Sequence, residues 1–111
     1  MMLLLVISLY TIQDFSTKLN KSLPEVYDSI TKLERTSVEG DFLVYHFTVD
    51  LSQSMFTEHV GKMKNRAEQS SCKNKNTHYV LTKLNKPILY KYENLKGQSL
   101  GQFQLAARRC L

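Results

Sequence analysis

The side chains in this sequence with the widest chemical reach are two cysteines, three histidines and a scatter of lysines, and their spacing limits what each can do. Cys72 and Cys110 form neither a C-x-x-C pair nor, with the histidines, a zinc-ligand pattern. An even count fits one disulfide. Counted from Cys72 to Cys110 the closed loop holds 39 residues, and closing it would remove unfolded-chain entropy worth about 4 kcal/mol. The alternative is two separate buried thiols in a reducing compartment. A nucleophilic Cys72 beside helix-borne cations is the weaker reading, because a second cysteine near the chain end suits a structural bridge.

His46, His59 and His78 belong to no H-E-x-x-H motif and to no helical i, i+4 pair. The acidic residues offer no pair that spacing alone would place across a substrate, as general acid–base chemistry requires. G-x-S-x-G, P-loop and G-x-G-x-x-G motifs are absent, and of four glycines Gly40 and Gly97 are accounted for by turns. These observations assign no catalytic, cofactor-binding or metal-ligating residue. They point to a binding protein and not to an enzyme.

Charge is the remaining signal. The net charge is +5, but residues 1–59 carry four basic and eight acidic side chains, whereas residues 60–111 carry eleven basic and two acidic. Such asymmetry suggests a surface that attracts anions or an acidic partner, against the plainer reading of a solvated basic surface. The candidate face comprises Lys62, Lys64, Arg66, Lys73, Lys75, Lys83, Lys86 and Lys91. Lysines interleaved with Tyr79, Tyr90 and Tyr92 would suit a cytosolic module that binds nucleic acid by stacking and phosphate contact. Tyr90 and Tyr92 share a strand face with Ile88, however, which favours packing. Asn20-Lys21-Ser22 matches the N-glycosylation triplet.

The elements that must position these residues follow from period and punctuation. Thr11 or Asp14 can cap a helix over residues 11–22, which Leu23-Pro24 closes. Residues 26–37 alternate loosely, with Thr31, Leu33 and Arg35 on one side and Ile30, Lys32 and Glu34 on the other. Glu39-Gly40-Asp41 is a turn signal, and Phe42 to Val49 places Leu43, Tyr45, Phe47 and Val49 on one strand face. From Ser52 or Ser54 as cap the period turns helical, with Phe56, Val60, Met63 and Ala67 as the core stripe and Cys72 just past the end. His78 to Leu84 reads as a short helix, ended by Asn85 and Pro87. Ile88, Tyr90 and Tyr92, a turn at Asn94 to Gly97, and Phe103, Leu105 and Ala107 predict a second hairpin. The expected fold is α+β: an antiparallel sheet of about four strands in two hairpins, helices packed on one face, and one disulfide.

A chain of 111 residues, 42% hydrophobic and 23% charged, suits one globular domain, here residues 13–111. Residues 1–12 are an apolar run, either a leader or the start of the amino-terminal helix. The run is too short to span a bilayer but matches the core of an export signal, without a preceding Lys or Arg and without a small-x-small cleavage site. Run and cysteine pair together predict a periplasmic or secreted protein, with membrane association only through that run.

Leu23-Pro24, the hairpin around Gly40, the helix ending near Cys72, Tyr90-x-Tyr92, Lys96-Gly97-Gln98 and the late Cys110 resemble the pattern of small periplasmic proteins, in particular the α/β class of type II secretion pilotins. The resemblance covers Leu19 to Cys110. It implies a lipoprotein that holds a helical tail of the secretin in a groove beside the sheet, with a disulfide bracing the fold. Those proteins carry an acylated cysteine directly after the leader, whereas no cysteine precedes Cys72. What the resemblance implies here is the binding mode: a groove between helix and sheet that accepts a protein partner of the cell envelope.

Overall fold

The computed structural model describes residues 11–107. Helix α1 (Ile12–Asn20) begins where the sequence places it. The Thr11 hydroxyl accepts the Asp14 N–H, and the Asp14 carboxylate accepts the Thr11 N–H in return, a reciprocal capping box. Residues 1–10, most of the apolar run, lie outside the described residues.

After a two-residue strand β1 (Glu25–Val26), β2 (Thr31–Glu39) and β3 (Phe42–Val49) form the hairpin around Gly40, whose φ of +61° is free to a glycine. Helix α2 (Gln53–Ser71) is capped by Ser52, whose hydroxyl accepts the Met55 N–H, and Cys72 stands at its carboxyl-terminal cap. Asn74 then caps α3 (Lys75–His78), which runs into a π-helical turn, Tyr79–Lys83. This helical stretch starts three residues before the expected His78, because the Asn74 side chain accepts the Asn76 and Thr77 N–H groups. Asn85, at φ +55°, ends it as predicted. Strands β4 (Ile88–Glu93) and β5 (Ser99–Leu105) make the second hairpin.

The five strands form one sheet in chain order, β1 to β5. Two features correct the expectation of four antiparallel strands. A fifth strand, β1, pairs with Lys32 and Leu33, too short to show an alternation of its own. Moreover β3 and β4 run parallel, with Tyr45 beside Tyr90 and Phe47 beside Tyr92. The helical connection over residues 50–87 carries the chain back along the sheet, so the two hairpins join as a mixed sheet.

A bulge between Leu33 and Arg35 also breaks the expected alternation in β2. Leu33 and Thr36 both face inward, while Arg35 pairs with His46 on the outer face.

The helices cover one face of the sheet, as expected. Phe15 of α1, Phe56 of α2, and Val80 and Leu81 of the π turn pack with Leu33, Leu43, Tyr45, Phe47, Tyr90, Tyr92 and Phe103 in one core. On the outer face Val44 and Leu89, neighbours in register, are buried too. The expected bridge involves Cys110, which lies outside the described residues.

Candidate binding groove

Between α2 and the sheet the packing leaves a groove of about 340 Å³. Its floor is aromatic. Tyr45 and Phe47 of β3 and Tyr90 and Tyr92 of β4 lie side by side because the strands are parallel and in register. Phe47 stacks on Tyr92 with centroids 5.0 Å apart and planes 11° apart, and on Tyr90 at 5.7 Å and 9°; Tyr90 stacks in turn on Phe103 at 4.9 Å and 17°. The rings therefore spend their faces on one another, in the offset geometry that π quadrupoles favour.

One wall is α2, through Met63, Arg66, Ala67, Ser70 and Ser71; the other is β1, the connection after it and the first residue of β2, through Glu25, Tyr27, Asp28 and Thr31. The stripe predicted for α2 explains the first wall. Phe56 is buried, whereas Val60, Met63 and Ala67 stay half-buried at the edge of the core. Tyr27 stands edge-on to Phe47 at 5.3 Å. Asn74 and Thr77 close the end, where the Thr77 hydroxyl donates to the Ser71 carbonyl at 2.8 Å.

Asp28 and the floor tyrosines are displaced from their ordinary pKa values. The Ile30 N–H, bonded to Asp28 at 2.9 Å, lowers that carboxyl's pKa, and Arg66 across the groove lowers it further. Burial pushes the Tyr45, Tyr90 and Tyr92 phenols well above their usual range, and neighbouring phenols add to the rise. They remain neutral hydroxyls at any physiological pH. Among the described residues no group of three ligating side chains could hold a metal ion. The chemistry on offer is recognition: apolar contact along α2, hydroxyls on the floor, opposite charges on the two rims.

The basic residues singled out from sequence do not assemble into this site. Arg66 alone lines the groove. Lys62 is exposed one turn before it on α2, and Lys64 is exposed two positions from each, on another side of the helix. Lys73 and Lys75 flank the Asn74 cap, and Lys83 is exposed at the end of the π turn. Lys86 pairs with Asp41 at 3.4 Å, and Lys91, on the outer sheet face, pairs with Glu39 at 3.1 Å. Tyr79 stacks on Phe15 at 5.6 Å, so the tyrosines weighed as base-stacking platforms are packed on other rings. Tyr27, Tyr45, Phe47 and Met63 were not singled out as site residues. The available signal was the pair of alternating aromatics Tyr45-x-Phe47 and Tyr90-x-Tyr92, which meet only through the parallel pairing.

No protein-family profile matches the chain, and no curated protein sequence matches it. Solved structures do. A candidate secreted protein from Pseudomonas aeruginosa superposes with a TM-score of 0.76 at 17% identity, covering 90% of this chain and 89% of that one. The pilotin EpsS of the Vibrio vulnificus type 2 secretion system gives 0.71 at 15% identity, covering 89% and 87%. The type II secretion pilotin AspS of Vibrio cholerae gives 0.67 at 15% identity, covering 88% and 87%. The resemblance to α/β pilotins thus holds for the fold along nearly the whole of each chain.

Proposed function

We propose that this protein is a non-enzymatic accessory protein of the cell envelope that holds an amphipathic segment of a protein partner in the groove between α2 and the sheet. The observation that carries the reading is the groove itself, open beside a half-buried apolar stripe on α2 and floored by ordered aromatic rings. Segments that present apolar anchors at helical spacing bind in such grooves. The fold shared with two pilotins and a candidate secreted protein supports an exported, partner-binding role. In this reading the apolar amino-terminal run directs export, and Cys72 is bridged to Cys110.

The pilotin likeness makes the helical tail of the host's secretin the first partner to test. Titration of that segment into the purified protein should give saturable binding. Ala67→Arg, which drives a long side chain into the groove from the half-buried stripe, should weaken it at least tenfold while the circular dichroism stays that of the wild type. Lys91→Glu on the outer face should leave it unchanged. No binding, or binding indifferent to Ala67→Arg, would remove the reading.

A further inference from the structure

The floor of the groove is apolar in its rings and polar in its tips. Tyr45, Tyr90 and Tyr92 are 4%, 6% and 6% exposed, and none of their hydroxyls is hydrogen-bonded among the described residues. Yet no buried side-chain N or O atom among those residues is both sealed from water and unpartnered. The hydroxyls must therefore reach solvent, and the space these residues line is the groove. Three donor–acceptor groups are left open at the bottom of a site whose walls set Met63, Ala67 and Tyr27 among polar and charged side chains.

That arrangement discriminates among occupants. A wholly apolar segment would strip water from the phenols and return nothing, which is more costly than leaving the site wet. A cation held by ring faces is disfavoured, because those faces are already stacked on one another. A central carboxylate would be drawn to Arg66 and repelled by Glu25 and Asp28, and an ammonium the reverse, so a single charge is opposed by one rim whichever its sign. A primary amide carries no charge and both accepts and donates, so it can answer more than one phenol at once.

We propose that the segment bound in the groove carries one side-chain amide, Asn or Gln, at the centre of the face it presents, and that Tyr45, Tyr90 and Tyr92 select it. The proposal rests on the groove being the binding site, and it specifies the partner's chemistry. It makes the floor a specificity device, since a hydrogen-bonding site rejects analogues that leave its polar groups unpaired.

The test is a selection against the full-length protein from a displayed library of helical peptides randomised at four positions on one face, with the Ala67→Arg variant as counter-selection. Groove-dependent binders should converge on one central Asn or Gln. Replacing that residue by Leu or by Glu should weaken binding at least tenfold. The triple variant Tyr45→Phe, Tyr90→Phe, Tyr92→Phe should erase the amide's advantage over Leu while keeping the wild-type circular dichroism; the three single variants serve if the triple does not fold. Groove-dependent binders that are wholly apolar or charged at the centre, or an amide advantage that survives loss of the hydroxyls, overturn the amide proposal and leave the groove in place. Binders indifferent to Ala67→Arg, or no binders, overturn both.

Discussion

The side-chain amide of Asn20 occupies both main-chain groups of Thr36: its Oδ1 accepts the Thr36 N–H at 2.7 Å, and its Nδ2 donates to the Thr36 carbonyl at 3.0 Å. Strand β1 reaches only as far as Lys32 and Leu33, so beyond it the edge of β2 lacks a strand partner. An asparagine amide presents the same donor and acceptor as a peptide unit and closes that edge from the end of α1. The Thr36 hydroxyl adds to the link, 2.7 Å from the Ser16 hydroxyl. The glycosylation triplet therefore begins with a structural asparagine. Asn20→Ala should cost about 1–3 kcal/mol in urea denaturation, while Ser22→Ala, which removes a bond made within the turn after α1, should stay within about 0.5 kcal/mol.

Gly101 allows Phe56 to lie on β5. A Cβ at position 101 would stand 2.8 Å from Phe56 Cε2, and the backbone there has φ +155°. Gly101→Ala combines steric crowding of a buried ring with backbone strain, and should destabilise the fold by about 2–3 kcal/mol. Phe56→Leu on its own opens space in the core. Combined with Gly101→Ala it should recover part of the loss, a coupling of about 1 kcal/mol in a double-mutant cycle. Strict additivity would show that the ring is not what glycine accommodates.

What was legible in the sequence was local. The Thr11 and Ser52 caps, the Gly40 turn, the alternation of β3, the stripe from Phe56 to Ala67 and the Asn85 stop each depend on a few neighbouring residues, and each is where the sequence puts it. The parallel pairing of β3 with β4 depends on where a long helical connection returns the chain, and no turn residue announces that. The bulge at Leu33/Arg35 hides in the loose alternation of residues 26–37 for a related reason: an extra residue inverts the pattern partway along. The groove inherits the first of these gaps and adds the short strand β1. Its floor needs the parallel register, and its second wall needs β1, so Tyr45 and Tyr90 read separately as packing residues before the fold joins them.

His46 gives the stability a defined pH dependence. Its Nε2 lies 2.7 Å from the Ser37 hydroxyl on the outer face. Burial lowers its pKa first, then Arg35 and Lys91, with Glu39 and Glu93 opposing. Above the unfolded value of about 6.5 the imidazole is neutral in both states and contributes no slope. As pH falls below it, the unfolded chain takes up a proton before the folded one does, so stability declines until the lower folded pKa is passed. Urea midpoints at about pH 7.5 and about pH 5 should differ in that direction, and His46→Gln should reduce the difference. An undiminished slope in the variant would assign the effect to other groups.

Cys72 closes α2, two residues before Asn74 caps α3 and at the end of the helix that forms one wall of the groove. A bond from this point to Cys110, five residues past the end of β5 at Leu105, would tie that wall to the segment following the last strand. Its stabilisation would come mainly from restricting the unfolded chain. Cys72→Ser and Cys110→Ser should each then cost about 4 kcal/mol, and the double variant should cost no more than either, because one bond is lost in every case. Two unrelated thiols would instead give additive losses. Intact mass before and after alkylation without reductant distinguishes the cases directly: protein recovered from an oxidising compartment should take up no alkyl group, and uptake of two would end the bridge hypothesis.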